Sequence, residues 1–290
     1  MNIQWFPGHM TKAIRMMQEN IKLVDVVIEL VDSRVPYSSK NPNIDDLAKN
    51  KKRVIVLNKI DLADPVISDK WENWFKDKGF YIVRINSIDG KGLPSLLNIV
   101  REACREKTER DRKRGIINRP LRAMVVGIPN VGKSTFINKL VGKASAKTGN
   151  KPGVTKGKQW IKLKNDIELL DTPGILWPKF EDQRVGMNLA MIGSIKDEVL
   201  DRAEVAMSIL GYLKVHYNEF LVKRYGIEIN SEMDNPTILS KIAEKRNLIK
   251  TGNELDLDRA ANIILEEYRN GKLGRITIEK PEDIEANEEK

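Results

Sequence analysis

Short apolar runs alternate with helical patterns through the first two-thirds of the chain. Each run is almost continuous Val, Ile and Leu between polar or turn residues, which is typical of buried strands. The predicted strands are DVVIELVD (25–32), RVIVLNK (53–59), YIVRIN (81–86), RAMVVGI (122–128) and DIELLDTPG (166–174). Helical spacing of apolar residues is found in NIDDLAKN (43–50), SDKWENWFKDKG (68–79) and LPSLLNIVREACREKTER (93–110). The alternation predicts an α/β domain whose mostly parallel sheet is covered by helices.

The pattern changes near residue 178. Beyond it, apolar residues recur at helical intervals with almost no strand signal, over residues 199–226, 236–248 and 256–274. We therefore predict an α/β domain over residues 1–178 and an all-α C-terminal domain over residues 179–290. A chain of 290 residues has room for both, since a typical domain takes about 100 to 200 residues.

The composition narrows the class of protein. No apolar run approaches the roughly 18 residues that a membrane-spanning helix needs, and the first residues lack the pattern of a secretory signal. Cys104 is the only cysteine, so an internal disulfide and a cysteine-based zinc site are both excluded. These features predict a cytoplasmic protein with no membrane partner.

Positive charge is concentrated in two stretches. Residues 139–164 hold eight lysines and no acidic residue, and residues 101–122 hold nine Lys or Arg against four acids. Residues 279–290 are acidic, with six acids and two lysines. A single basic run is often only the solvated face of a helix. An acid-free run of this length instead favours a polyanionic partner, RNA or DNA.

The segment GIPNVGKST (127–135) matches a phosphate-binding loop, with a predicted strand before it and a predicted helix after it. Its glycines would let backbone N–H groups close around phosphate oxygens at the start of a helix. Lys133 would then bridge the β- and γ-phosphates, and the Ser134 hydroxyl would bind Mg²⁺. The alternative is a plain glycine turn before a helix, which the flanking strand and helix disfavour.

Two further segments fit the γ-phosphate side of such a site. DTPG follows a predicted strand, so the Asp171 carboxylate would hold Mg²⁺ through water and the Gly174 N–H would contact the γ-phosphate. Thr155 in KPGVT would complete the metal shell. Each match is weak alone, because Pro-Gly turns with an aspartate are common and any loop threonine satisfies the second pattern.

The segment VIVLNKIDL predicts how the base is recognised. Asp61 would accept hydrogen bonds from the guanine N1–H and exocyclic amine, a pattern that adenine does not offer. Asn58 would bind the far edge of the base, and the Lys59 stem would lie along its face. Asn86 and Ser87 follow the next strand, where their backbone N–H groups would donate hydrogen bonds to the base oxygen. One such motif arises by chance, but all these segments lie at predicted strand ends, which favours a real nucleotide site.

The motif order resembles that of the circularly permuted GTPases, and most closely the ribosome biogenesis GTPase A family. It rests on NKID, NS, GIPNVGKST, GVT and DTPG in that order, with WFPGHM near the start, DSRVPYSSKNP at 32–42 and GKLG at 271–274. The resemblance implies a circularly permuted P-loop GTPase that converts GTP to GDP and assists late maturation of the large (50S) ribosomal subunit. It also implies rRNA binding by a helical C-terminal RNA-binding domain, and stimulation by the subunit. We further expect a monomer whose partners are the large subunit and its precursors.

The motifs together define a predicted set of GTP-binding residues. They are Asn58, Lys59, Ile60, Asp61, Asn86, Ser87, Asn130, Val131, Gly132, Lys133, Ser134, Thr135, Thr155, Asp171 and Gly174. Ser134 and Thr155 are the predicted Mg²⁺ ligands. Asn130 stands where potassium-activated GTPases carry an asparagine, which predicts K⁺ in the site. The alternative for Asn130 is a loop residue that only caps a turn.

The glutamine that orients the attacking water in many GTPases is missing from this sequence, so another residue has to be the catalytic group. Ile175 and Leu176 follow DTPG, where many GTPases place the glutamine that orients the attacking water. His9 in PGHM matches the N-terminal histidine motif of the family, so we predict that it positions this water or acts as the base. The alternative is a structural histidine that anchors an N-terminal helix.

In a permuted chain, the segment that senses the γ-phosphate leads directly into the C-terminal domain. We expect GTP to order residues 153–155 and 171–178 and so to fix the pose of residues 179–290, the alternative being a passive linker. Two other functions fit the same residues. One is an RNA-binding module gated by nucleotide occupancy, with incidental hydrolysis. The other is a GTPase that serves tRNA modification, which is disfavoured because no further catalytic constellation is seen.

Overall fold

The computed structural model describes residues 8–117, 119–142, 160–163, 166–172, 182–230 and 232–288. Within these ranges the chain forms two compact units. The helical unit comprises the described residues of Phe180–Ile278, and the α/β unit comprises those of Gln4–Lys179 and Glu279–Lys290. The predicted all-α domain, by contrast, runs to residue 290. The end of the chain lies in the α/β unit because it makes specific contacts there, which are given below.

Six described strands form the sheet of the α/β unit, in the order β3-β2-β1-β4-β6-β5. The strands are β1 Val26–Asp32, β2 Lys52–Asn58, β3 Tyr81–Ile85, β4 Leu121–Gly127, β5 Trp160–Leu163 and β6 Ile167–Asp171. All neighbours are parallel except β5, which is antiparallel to β6. Every residue of β1 is buried, as expected for a central strand covered on both faces. The carboxyl ends of β1, β2, β3, β4 and β6 therefore share one edge of the sheet.

Helices cover both faces of this sheet. They are α1 Gly8–Ile21, α2 Pro42–Leu47, α3 Pro65–Asp77, α4 Leu93–Ala103, α5 Arg105–Lys113 and α6 Lys133–Val141, and the chain later adds α12 Pro281–Glu288. One core cluster joins Met17 of α1 to Val27 and Met124 of the sheet, and another joins Ile55 to Trp71 of α3. The predicted mostly parallel, helix-covered sheet is confirmed.

Two elements of this unit differ from the prediction. The strand β5 has no counterpart in it, because only Ile161 and Leu163 of its four residues are buried and lysines surround them. The predicted helix over 93–110 is divided at Cys104 into α4 and α5. The apolar pattern stops there, since α4 buries four residues and α5 buries none.

The helical unit is built from five described α-helices. They are α7 Gln183–Met191, α8 Arg202–His216, α9 Asn218–Tyr225, α10 Asn235–Lys245 and α11 Leu257–Arg269. Four of them begin after an aspartate whose carboxylate accepts a backbone N–H of the first turn: Asp182, Asp201, Asp234 and Asp256. α8 and α11 pack together through apolar positions at helical spacing, among them Ile209, Leu213, Ile264 and Tyr268.

Candidate nucleotide-binding site

Asn58, the last residue of β2, joins the loops that follow β3 and β4. Its Nδ2 donates to the Val131 carbonyl at 2.8 Å, and its Oδ1 accepts from Ser87 Oγ at 2.7 Å. Asn58 is 1% exposed, so this buried amide has partners for both its donor and its acceptor end and is held in one orientation. The structure thus brings the NKID motif, the Asn86–Ser87 loop and the phosphate loop together, although they lie far apart in sequence.

The Lys59 side chain crosses from the NKID motif to the phosphate loop. Its Nζ donates to the Asn130 carbonyl at 2.7 Å and pairs with Asp32 Oδ2 at 2.9 Å. Its backbone adopts a φ of 58°, the left-handed region that is uncommon for a residue other than glycine. Burial lowers the pKa of Lys59, while the Asp32 carboxylate opposes this shift. Asn58 and Lys59 therefore hold two consecutive carbonyls of the phosphate loop.

A buried ion pair between Asp32 and Arg34 lies beside Lys59. Neither residue was predicted to belong to the site. Arg34 Nε and Nη2 lie 2.9 and 2.8 Å from the two Asp32 oxygens, and neither side chain is more than 1% exposed. Burial alone raises the pKa of Asp32, but Arg34 and Lys59 outweigh it and hold this pKa well below its usual range. Asp32 is therefore a permanent carboxylate that orients the Lys59 ammonium. Its only sequence signal was its place in DSRVPYSSKNP.

The phosphate loop requires glycine at two positions. Gly132 has a φ of 99°, and a Cβ there would lie 2.6 Å from Asn58 Nδ2. Gly127 has a φ of 154°, and a Cβ there would lie 2.8 Å from the Leu30 carbonyl oxygen. Both glycines therefore allow a close approach of backbone to neighbouring groups. Gly132 is also the N-cap of α6 and brings no capping side chain to this helix end.

The first turn of α6 carries the predicted phosphate ligands. Lys133 is 9% exposed and its Nζ donates to the Gly127 carbonyl at 3.2 Å, which folds the side chain over the loop. Ser134 is half-buried and Thr135 is exposed. An ammonium above a glycine loop at a helix N-terminus suits a bound phosphate.

The remaining base-side residues lie along the same edge. Asp61 is exposed, and the Ile60 N–H donates to the Ile85 carbonyl at 3.4 Å. The Asn86 N–H donates to the Lys91 carbonyl at 3.1 Å, and the Ser87 N–H donates to Asn58 Oδ1 at 3.3 Å. Both N–H groups that were predicted to donate to the base oxygen thus donate to acceptors within the protein. In this geometry Ser87 orients Asn58 instead.

Several predicted site residues lie beyond what the structure describes. Thr155, Gly174 and the predicted switch residues 153–155 and 173–178 are outside the described ranges. Asp171 ends β6 opposite Val125, but its side chain is not described. His9 lies in α1, and its side chain is likewise outside the description. Among the described residues there is no group of three or more His, Cys, Asp or Glu that would hold a metal ion.

Comparison with known proteins decides the family. The model of the family described as "50S ribosome-binding GTPase" matches residues 122–239. The protein named "Ribosome biogenesis GTPase A" from Priestia megaterium is 47% identical over 286 residues, which cover 98% of this chain and 99% of that protein. The chain belongs to the ribosome biogenesis GTPase A family. The resemblance to this family is thereby confirmed, and in this GTPase the NKID motif precedes the GIPNVGKST segment.

Solved structures similar to this GTPase support the same assignment. The structure titled "GDP-bound structue of TM YlqF" matches with a TM-score of 0.68 and 29% identity, over 93% of this chain and 100% of that chain. The GNP-bound YlqF from Thermotoga maritima matches with a TM-score of 0.66 and 30% identity, over 93% and 99% of the two chains. Within the described residues, no helix has the length and apolar character needed to span a bilayer.

Proposed function

We propose that this GTPase acts in late maturation of the large (50S) ribosomal subunit, binds its rRNA, and turns over GTP faster on the subunit. The observation that carries the nucleotide part is the pair of side-chain bonds from Asn58 and Lys59 to the Val131 and Asn130 carbonyls. These bonds couple the base-reading loop to the phosphate loop. Family membership supports the ribosomal part.

Guanine recognition rests on Asp61 in this proposal. Its exposed carboxylate, two residues beyond the fixed Lys59, would accept from the guanine N1–H and exocyclic amine. Asp61→Asn should weaken GTP binding and favour xanthosine triphosphate, whose oxygen at that position accepts from the new amide. Titration calorimetry with both nucleotides measures this change. Retained preference for GTP would contradict the assignment of the base site.

Phosphate binding and hydrolysis are assigned to the phosphate loop and its surroundings. Lys133 and the first turn of α6 fit the phosphates, and Ser134 with Thr155 would hold Mg²⁺, which neutralises charge on the transferring phosphoryl group. Asn130 is exposed at the loop tip, where it would contact K⁺. Unchanged turnover when Na⁺ replaces K⁺ would rule out this role. Unchanged subunit-stimulated turnover in His9→Ala would rule out His9 as the group that positions or activates water.

We propose that RNA contacts a basic groove in the α/β unit as well as the helical unit. The groove has a volume of about 570 Å³ and is lined by six basic and three acidic residues, among them Lys49, Lys51, Lys107, Arg110 and Arg114. α5 forms one wall and buries none of its residues, and Arg110 in α5 and Arg114 just after it are exposed, whereas Lys107 pairs with Asp25 and Asp111. Lys and Arg on an unburied helix suit an RNA phosphate backbone.

The decisive experiment measures GTP turnover with and without large-subunit precursors, together with cosedimentation in each nucleotide state. We expect faster turnover on the precursors and tighter association with a non-hydrolysable GTP analogue than with GDP. Association with flat turnover would favour the nucleotide-gated RNA-binding module. If neither the faster turnover nor the tighter association is seen, the ribosomal role is refuted. We further propose a monomeric, cytoplasmic protein, which ultracentrifugation and cell fractionation would test.

A further inference from the structure

Glu279, the first residue after the helical unit, is bound inside the α/β unit. Its carboxylate accepts the Tyr37 N–H at 2.8 Å and the Ser38 N–H at 3.1 Å, and it also accepts the Ser38 hydroxyl. Its carbonyl accepts Trp71 Nε1 at 2.9 Å. With 6% exposure, Glu279 is almost completely buried in this cup of donors. One carboxylate thus fixes two consecutive backbone N–H groups of a loop that lies about 240 residues earlier in the chain.

The residues after Glu279 attach the chain further along α3. Glu282 pairs with Lys70 at the surface, and Ile284 packs against the core cluster that contains Trp71 and Phe75. We call residues 279–288 the C-terminal strap. Its apolar contact and ion pair hold it on α3, and Glu279 reaches the loop at Tyr37 and Ser38.

The first residue of this loop, which comprises residues 33–39, contacts the base-reading motif. The Ser33 N–H and Oγ both donate to the Asn58 carbonyl, at 2.9 and 2.6 Å. The Asp32 N–H donates to Ser39 Oγ at 2.9 Å, which closes the loop on itself. Glu279 therefore fixes the middle of the loop, at Tyr37 and Ser38. At the start of the loop Ser33 binds Asn58, and the preceding residue, Asp32, pairs with Lys59.

We propose that Glu279 is a positioning residue for guanine nucleotide binding. By fixing the loop at Tyr37 and Ser38, it keeps Asp32 and Ser33 in register with Lys59 and Asn58. The Tyr37 and Ser38 N–H groups need an acceptor, which Glu279→Ala removes, whereas in Glu279→Gln the amide oxygen can accept them and the NH₂ group can donate to the Ser38 hydroxyl. This inference rests on the proposed base site, since it assigns the strap to the same guanine pocket.

The test measures the nucleotide affinity of Glu279→Ala by titration with GDP and with ADP. We expect GDP binding to weaken about tenfold, while ADP binding, which lacks the base contacts, stays at the wild-type level. A purely structural role would instead change both affinities together or change only the melting temperature. Glu282→Gln is the matched control, because it alters a strap carboxylate at the surface, and it should bind both nucleotides as wild type does.

Ser38→Ala removes a single donor to Glu279 and should weaken GDP binding in the same direction, by about threefold. It gives the answer if Glu279→Ala does not fold. Folded variants with wild-type affinity and base preference would overturn the proposal. If Asp61→Asn changes base preference while the Glu279 and Ser38 variants do not, only this inference fails. If Asp61→Asn has no effect, the proposed base site itself is wrong.

Discussion

Removing the Asp32 carboxylate should destabilise the α/β unit and also release Lys59 from its carboxylate partner. Arg34 is 1% exposed and loses both of its close contacts to the Asp32 oxygens in Asp32→Ala. Breaking a buried ion pair by removing one partner costs about 3 to 5 kcal/mol of unfolding free energy. The same variant removes the oxygen that lies 2.9 Å from Lys59 Nζ, so nucleotide affinity should fall as well.

A double variant separates these two effects. Asp32→Ala with Arg34→Met removes both buried charges, and such replacements by apolar side chains are often neutral for stability. We expect the double variant to regain most of the lost unfolding free energy. It should still bind GDP about tenfold more weakly than wild type, because Lys59 lacks its carboxylate partner.

Urea unfolding without nucleotide measures the first effect, and titration calorimetry with GDP measures the second. Glu106→Gln is the control, since its pair with Lys52 spans 3.4 Å between exposed side chains and should contribute about 0 to 1 kcal/mol. An unfolding free energy of Asp32→Ala as close to wild type as that of the control would refute the stability argument. Wild-type GDP affinity in the double variant would refute the link to Lys59.

Three other outcomes follow from named contacts. Gly132→Ala should weaken GDP binding about tenfold or more, measured by the same titration, because its Cβ would lie 2.6 Å from Asn58 Nδ2 at a φ of 99°. Burial raises the pKa of Cys104 to about 11, so iodoacetamide should label the native protein far more slowly than the urea-unfolded protein at pH 8, as followed by mass spectrometry. Although burial raises the pKa of Asp32, Arg34 and Lys59 hold it below the unfolded value of about 3.9. The stability difference between wild type and Asp32→Asn should therefore be complete at neutral pH and shrink in urea titrations below about pH 4.

Local patterns were sufficient to predict most of the sheet and the residues at its carboxyl edge. Continuous apolar runs gave five of the six described strands, and the residues that end β2 and β4 are where a nucleotide site in a parallel sheet requires them. β5 was not predicted because a short edge strand buries only alternate residues: Ile161 and Leu163 are buried, Trp160 is partly buried, and Lys162 is exposed in a lysine-rich segment. A tertiary pairing with β6, rather than local apolarity, makes it a strand.

Long-range polar contacts were beyond such reasoning. Glu279 lies in an acidic stretch that resembles a solvated tail, and only its distant partners at Tyr37 and Ser38 make it a buried residue. Asp32 ends β1 and Arg34 lies two positions later in the following loop, and no local pattern indicates that the two charges are buried together beside Lys59. The acceptors of the Asn86 and Ser87 N–H groups within the protein could not be predicted either, since a motif indicates which residues lie together but not which acceptors they use.

The return of the chain to the α/β unit at Glu279 also sets the order of events during synthesis. Residues 279–288 are translated after the whole helical unit, so the loop at Tyr37 and Ser38 emerges from the translating ribosome long before the carboxylate that binds it. The nascent α/β unit therefore lacks the contact of Glu279 with this loop until the helical unit has been made. If Glu279 positions the nucleotide site as proposed, the chain gains this part of its nucleotide affinity only after the helical unit has been synthesised.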